Sequence, residues 1–428
     1  MNRPAPTAQI AVWRESGMPA LLLLTAAGFA GYAALLPIAP LWAVHGGADE
    51  AGSGLVNGVL LLATILTQPF VPWLLRRFGT GRVLAAGLVL LGGPSLLHLF
   101  SDRLDWILAL SALRGLGFGI LTVTGSTAVA HLVRPARHGA AIGAYGASIA
   151  IPQVVLLPAG PWLVDLVGYW IVFALGAVSV LAVAAAPWLA RALREQEVEQ
   201  LLQERLLHDG LRDGTEPGTD SGAALSPAAA RSASTGAAQR PIVARLAPPT
   251  MLLLGVTLAG GALITFAPQM SSAPVATAVG LVLLTVTAAL SRWRIGSLAD
   301  RHGIRPFLWP LVLLTVLGLA LAAFSVENAD DTRVVLFPLA MALVGIAYGG
   351  LQNLTLLLCL GAVPRERFGT ASAVWNIGFD AGTGLGSVLV GTLAAGLSFS
   401  VALLVAAGIS LLTLPLAFAT GRRTSQQR

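Results

Sequence analysis

The chain has 428 residues, of which 56% are hydrophobic and only 11% are charged, and its mean hydropathy is +0.79. Soluble domains carry about 25% charged residues, so this composition excludes a soluble globular protein and indicates a polytopic membrane protein. The net charge of +6 comes from 26 basic residues, all of them arginine, that are dispersed along the chain. Because a nucleic-acid partner requires basic residues clustered on one face, the charge pattern argues against such a partner.

Twelve apolar stretches are long enough to cross a bilayer, since a span needs roughly 20 residues at 1.5 Å rise per residue. They cover residues 18–44, 53–75, 82–100, 105–132, 138–162, 168–190, 249–270, 275–296, 306–326, 333–362, 367–395 and 399–420. This pattern predicts an all-α membrane protein of two six-helix bundles. We place the first bundle in residues 1–190, the second in residues 248–428, and a linker in residues 191–247.

The linker is the one long polar segment, and it carries seven arginines. From Arg194 its leucines follow helical spacing, which predicts a short amphipathic helix. From Gly210 to Gln239 it consists mainly of small and polar residues, which cannot bury a core and are typical of disorder.

Most of the arginines fall in alternate gaps between spans or in the two tails, whereas the other gaps carry acids such as Asp49 and Asp102. Cytoplasmic loops of membrane proteins keep their Lys and Arg residues. The alternation therefore predicts that both termini and the linker lie in the cytoplasm.

An internal repeat supports the division into two halves. Residues 133–141 align with residues 363–371, and residues 114–119 align with residues 344–349 at the same offset of 230. Parallel repeats of six spans relate the two halves of one class of secondary transporters.

The stretch Gly296-Ser-Leu-Ala-Asp300-Arg301-His-Gly303-Ile-Arg305 joins spans eight and nine. It resembles the cytoplasmic loop motif of the major facilitator superfamily, G-x-x-x-D-R-x-G-x-R, and with the twelve spans and the repeat the resemblance covers nearly the whole chain. It implies that these glycines, Asp300 and the two arginines form a gate loop that latches the halves in one of two alternating states. The alternative is a basic loop that only sets the topology.

The first-half copy of this loop, from Pro72 to Arg82, keeps the turn glycine but has Arg76 where the second copy has Asp300. Arg76 and Arg77 are therefore gate-loop candidates that act as orientation signals alone if the carboxylate latch is missing.

Arg114 lies about nine residues into span four, where an arginine costs about 2.5–3.5 kcal/mol on insertion scales. The run from Arg114 to Gly119 resembles the fourth-span motif of the superfamily, which is linked to proton transfer. Because arginine does not deprotonate in proteins, its role would be to act on a carboxylate or to bind an anion. The alternative is that the side chain snorkels to the outer interface, near Asp102 and Asp105.

Asp380 lies near the middle of span eleven. A carboxylate in apolar surroundings takes up a proton more readily than one in water, which suits reversible protonation. Asn376 lies one turn earlier on the same face and can bond to it, so Asp380, Arg114 and Asn376 form the predicted proton-coupling group. The alternative is a structural helix–helix hydrogen bond, assisted by small residues at every fourth position, Gly378, Gly382 and Gly386.

In the superfamily, spans one, four, seven and ten line the central cavity. The resemblance therefore makes the polar and aromatic residues of these spans substrate-cavity candidates, although the aromatic ones are equally suited to packing: Gln269, Gln352, Asn353, Tyr32, Phe118, Phe266 and Tyr348. The six scattered histidines and the mid-span carboxylate provide neither a metal cluster nor a nucleophile with its base, so we expect no metal, no cofactor other than protons, and no enzyme activity.

The Gly-rich span eleven with its Asp resembles bacterial members of the superfamily that are described as sugar or drug efflux proteins. The resemblance implies a monomeric secondary transporter of the bacterial inner membrane that exports a small organic solute by proton antiport and alternating access. Two alternatives stay open: proton-coupled uptake of a nutrient such as a sugar or an organic acid, and a receptor or scaffold that does not transport.

Overall fold

The computed structural model describes residues 16–132, 138–213, 242–328, 332–364 and 367–423. Within these ranges, twelve helical segments are long and apolar enough to cross a membrane, which confirms the predicted number. Spans one to five consist of Met18–Leu35 with Ile38–His45, Glu50–Thr67 with Val71–Phe78, Thr80–Leu97, Leu104–Leu132 and His138–Val167. Span six starts with Tyr169–Gly176 and Val178–Leu181 and continues into Ala186–Asp213. Spans seven to twelve are Ile242–Met270, Pro274–His302, Arg305–Ser325, Leu336–Gly361, Phe368–Gly396, and Phe399–Leu411 with Leu414–Arg423.

The predicted linker helix is the continuation of span six and not a separate element. The helix Ala186–Asp213 runs without a break from the membrane span into the polar segment, and it includes residues 210–213, which were expected to be disordered. The remainder of the segment predicted to be disordered, residues 214–239, lies outside the described residues.

The two halves repeat one another as predicted. Span five begins at His138 and span eleven at Phe368, which preserves the offset of 230. The turns after spans two and eight contain Gly79 with φ 83° and Gly303 with φ 79°. A residue with a Cβ is strained at positive φ, so both loops need glycine at this position, as the loop motif suggests.

Span two is interrupted at mid-length. Its first helix ends at Thr67, a 3₁₀ turn covers Gln68–Phe70, and the second helix starts at Val71. Pro69 and Pro72 lie in and just after this turn, and proline cannot donate the backbone hydrogen bond that continues an α-helix.

The two ends of the bundle differ in charge. Asp49, Glu50 and Asp102 lie at one end, which we call the acidic side, and the gate-loop residues lie at the other, which we call the arginine side. The halves meet where span two packs along span eleven and where span five packs against span eight.

Candidate functional site

A row of buried hydrogen bonds joins the two halves along span two. Near the acidic side, Ser53 and Gln269 exchange bonds of 2.9 and 3.2 Å. One turn further on, the Nδ2 of Asn57 donates to the Oγ1 of Thr265 over 2.9 Å. At mid-membrane, the Nε2 of Gln68 donates to the Oδ2 of Asp380 over 2.8 Å. We call these three contacts the polar seam.

Asn57 also supports the break in span one. Its Nδ2 lies 2.8 Å from the carbonyl oxygen of Leu36. In a continuous helix that carbonyl would accept from residue 40, but residue 40 is proline and has no N–H. Asn57 thus satisfies an otherwise unpaired buried carbonyl as well as crossing to the second half.

The backbones of the two halves come very close on the acidic side of the seam. A Cβ atom placed on Gly54 would lie 2.3 Å from the carbonyl oxygen of Ser387, and one on Gly391 would lie 2.4 Å from that of Glu50. Only glycine permits this approach. The halves are therefore closed against each other on the acidic side.

The halves are separated on the arginine side. Beyond Gln68, Phe70 is 63% exposed and Trp73 is 53% exposed. Within the described part of the chain, no atom of another element lies within 4 Å of the place where a Cβ would stand on Gly369 in span eleven, and the same holds for Gly143 in span five. A cleft between the halves thus opens toward the arginine side and ends at Gln68 and Asp380.

The gate-loop candidates are exposed around this opening: Asp300, Arg301, Arg305, Arg76 and Arg77. Among the described residues, no carboxylate lies within 4.0 Å of a cation in either loop. The latch implied by the resemblance is not formed in this open arrangement, and its existence stays a prediction.

Asp380 is 4% exposed and is the only buried carboxylate in the described part of the chain. The hydrogen bond expected from Asn376 is not formed, because the Asn376 Nδ2 donates instead to the carbonyl oxygen of Ser372, 2.9 Å away in its own helix. The partner of Asp380 is Gln68 of the other half. The glycines of span eleven, Gly378 and Gly382 among them, pack on span seven as the structural alternative expected.

Arg114 is 1% exposed and does not snorkel. Its Nε donates to the carbonyl oxygen of Leu91 over 3.3 Å, and one Nη donates to that of Gly31 over 3.1 Å. Neither bond reaches Asp380, and the predicted role of Arg114, to act on this carboxylate or to bind an anion, stays a prediction. Arg114 instead ties spans one, three and four of the first half together, and Tyr32 lies within electrostatic range of both charges.

The two acids at the acidic-side end of span four have other partners. The Asp102 carboxylate contacts His45 at 3.1 Å, and that of Asp105 contacts Arg103 at 3.1 Å. Neither of them is paired with the guanidinium of Arg114.

The substrate-cavity candidates divide into two groups. Tyr32 and Phe118 stack with their ring centroids 4.1 Å apart, and Tyr348 of span ten packs 6.1 Å from Phe379 of span eleven. Gln352 is 3% exposed and lies beside the Tyr348 hydroxyl. These four candidates lie near the closed end of the cleft.

The other three candidates make different contacts in this arrangement, and their role at a substrate cavity stays a prediction. Gln269 belongs to the polar seam, and Phe266 is fully buried next to it, 5.4 Å from Phe399. Asn353 donates to the carbonyl oxygen of Arg292 over 2.7 Å and so joins span ten to span eight. A span that lines a cavity also has faces that do not line it. Some of its residues lie at the closed contact between the halves, and others pack against a neighbouring span of the same half.

Gln68 of the polar seam and Arg292, which lies inside span eight, were not among the sequence candidates. Gln68 is a polar residue of span two, a span that the family pattern does not place at the cavity. Arg292 falls within the predicted span 275–296, but the alternation of arginines assigns it to the basic loop that follows. The signal in the sequence that could have identified them is their position, since both polar residues lie several residues inside a predicted span.

Two bundles of six spans, closed against each other at one end and open at the other, define the class of membrane transporters built from two repeated halves. The sequence model of the Major Facilitator Superfamily matches residues 21–270 and 250–428. The chain belongs to this superfamily. None of the curated proteins matches the chain.

Solved structures with the same fold come from several kinds of transporter. A peptide transporter POT is 15% identical with a TM-score of 0.71, covering 95% of each chain. A bacterial homologue of the human lysosomal transporter Spinster, in an inward-facing and unoccupied conformation, is 15% identical with a TM-score of 0.68, covering 97% of this chain and 98% of its own. The nucleoside transporter NupG is 15% identical with a TM-score of 0.64, covering 94% and 99%. At these identities the likeness concerns the fold.

Proposed function

We propose that this superfamily member is a proton-coupled secondary transporter that moves a small organic solute by alternating access, with Asp380 as the proton carrier. The supporting observation is the place of Asp380: it is the buried carboxylate at which the closed seam ends and the open cleft begins. With the orientation that the arginines predict, the cleft faces the cytoplasm. We also propose that the protein acts as a monomer in a bacterial inner membrane.

The chemistry of the seam suggests how a proton changes the state. An ionised carboxylate away from water needs donors, and Gln68 supplies one charge-assisted bond to it. Opening the seam would remove the Gln68 donor and expose Asp380 to the other side of the membrane. There, a proton can bind the carboxylate in place of that donor. Proton exchange at Asp380 would therefore accompany each change between the two arrangements.

The direction of transport is left to a flux experiment, and two directions are supported. The resemblance to efflux proteins supports export against proton entry. The peptide and nucleoside transporters with the same fold support uptake together with protons equally well. Solute movement measured under an imposed pH gradient assigns one of the two directions.

The test uses proteoliposomes that contain a pH-sensitive dye and the wild-type protein, Asp380→Asn, or Asp105→Asn as a matched exposed carboxylate. Solutes are added singly from a panel of drugs, sugars, organic acids and amino acids. We expect solute-dependent proton movement in the wild type and in Asp105→Asn, and none in Asp380→Asn. Solute exchange without a gradient should persist in Asp380→Asn, since the amide is neutral like the protonated carboxyl.

Full proton movement in Asp380→Asn would refute the assignment of Asp380. If no solute moved protons in the wild type, the coupled-transport proposal would fail and a receptor or scaffold would be favoured.

A further inference from the structure

Arg292 is a basic residue inside span eight that the proposed proton pathway does not use. It lies ten residues, about 15 Å along the helix, from the end of the span at His302. Its side chain is only half-buried, whereas the neighbouring Trp293 and Arg294 are exposed. An arginine at such depth is costly unless it faces water or an anion.

The face of span eight that carries Arg292 packs on span ten. Ala288, one turn before Arg292, meets Gly349 so closely that a Cβ there would lie 1.9 Å from the Ala288 carbonyl oxygen. One turn further along both helices, the Nδ2 of Asn353 donates to the carbonyl oxygen of Arg292. These contacts place Arg292 next to the segment of span ten that carries Tyr348, and the two side chains lie within electrostatic range of each other.

Tyr348 brings this group to the space between the halves. Its ring packs against Gly260 of span seven, where a Cβ would come within 2.3 Å of it. Its hydroxyl lies beside Gln352 and Thr383, and within electrostatic range of Asp380 and of Tyr32 in the first half.

Gln352 adds an unused donor. The side chain is 3% exposed, and its Nε2 makes no hydrogen bond of good geometry among the described residues, although the amide lies beside the Tyr348 hydroxyl. A buried donor without a well-formed bond is unfavourable and is available to a ligand. Gln352 lies one helical turn after Tyr348, so its amide and the Tyr348 hydroxyl lie together, within electrostatic range of the Arg292 guanidinium.

The charges of this group are unbalanced. Among the described residues, no carboxylate lies within 4.0 Å of Arg292. The nearby acid, Asp380, already accepts a bond from Gln68. One cation with two neutral donors suits a single negative charge, and the planar guanidinium binds a carboxylate through two parallel bonds.

We infer that Arg292, Tyr348 and Gln352 form the substrate subsite that binds the carboxylate of a small organic monoanion. The inference rests on the proposed transport function and assigns its substrate class. A phosphate monoester carries up to two negative charges near neutral pH, for which this group offers one cation. A neutral solute would leave the charge of Arg292 unpaired.

The experiment measures binding in detergent by thermal shift and calorimetry, and it needs no proton gradient. The panel consists of matched sets on one carbon skeleton, such as benzoate, benzamide and phenyl phosphate, with aliphatic and hydroxylated sets beside them. Arg292→Gln and Arg292→Lys are compared with Arg294→Gln, an exposed arginine of the same helix that lies over the Trp293 ring.

We expect at least one carboxylate to bind more tightly than its amide and its phosphate ester. Arg292→Gln should weaken that carboxylate by about 10- to 100-fold and leave the amide unchanged, as expected for the loss of a charged hydrogen bond. Arg292→Lys should recover part of the loss, and Arg294→Gln should bind like the wild type.

The inference is overturned if no carboxylate binds, if amides or phosphate esters bind as well as carboxylates, or if Arg292→Gln keeps the preference for the carboxylate. It is also overturned if Arg294→Gln loses the same affinity. Binding that depends on Arg292, together with gradient-independent flux in the wild type, would support the subsite and refute proton coupling, so the two proposals fail separately.

Discussion

The closed acidic side depends on Gly54, and a single methyl group there should open it. The Cβ of Gly54→Ala would lie 2.3 Å from the Ser387 carbonyl oxygen, whereas ordinary contacts begin near 3.4 Å. The halves must therefore move apart by about 1 Å, and overpacking of this kind costs about 1–3 kcal/mol. Alanine is the better helix former by about 1 kcal/mol, so span two itself is not weakened.

A free-energy change of this size lowers the equilibrium ratio of closed to open molecules by about 5- to 150-fold. The assay is the labelling of a cysteine at buried position Ser53 by a membrane-impermeant maleimide, with Cys359 replaced by serine in every variant. Gly54→Ala should raise the labelling rate by a similar factor. Gly369→Ala in span eleven is the matched control, because none of the other elements that the structure describes has an atom within 4 Å of its added methyl group.

An unchanged labelling rate in folded Gly54→Ala would refute the close-packing argument. An equal increase in Gly369→Ala would show that the rate reports general loosening of the helices and not the opening of this contact.

Three further changes test the buried polar groups by melting temperature in detergent or by the same labelling. Arg114→Lys should melt below Arg114→Met, because a lysine cannot bridge the carbonyls on spans one and three and leaves its charge buried, whereas methionine removes the charge. Asn57→Leu should destabilise the protein by about 1–3 kcal/mol, seen as a lower melting temperature, since the Leu36 carbonyl loses its donor. Gln68→Leu should raise the labelling at position 53 by about 10-fold or more through the loss of a bond to a charged group. Equal melting of the two Arg114 variants, or wild-type behaviour of either other variant, would contradict these assignments.

The sequence predicts the spans because bilayer thickness imposes their length and apolarity. It also predicts the repeat and the turn glycines, since Gly303 adopts the positive φ that its motif requires. The partners of the buried charges could not be predicted in this way. Asp380 is bonded to Gln68, 312 positions away, and not to Asn376 in its own helix. Such pairs depend on how the halves are rotated against each other, and no local pattern encodes that rotation.

Arg292 shows a second limit of pattern reading. The alternation of arginines treats it as one more member of a basic loop, because a positive charge near the end of a span satisfies the positive-inside rule. Only the packing of span eight on span ten places Arg292 next to the helix segment that carries Tyr348. An arginine can serve either as a topology signal or as part of a site. To distinguish the two, one must know how far inside the span the residue lies and which neighbouring helix it faces.

The place of Asp380 in the seam links the proposed proton to the movement of the halves. The contacts on the acidic side use hydroxyl and amide groups, Ser53 with Gln269 and Asn57 with Thr265, which do not titrate in the physiological range. Of the contacts of the polar seam, the one that a proton can change is the bond from Gln68 to Asp380, and it lies where the first helix of span two gives way to the 3₁₀ turn. A proton bound there would weaken the last contact before the open cleft while leaving the others intact. Protonation alone should therefore loosen the seam only at the contact between Gln68 and Asp380. Because the hydrogen bonds of the acidic side remain, full opening would also require the solute.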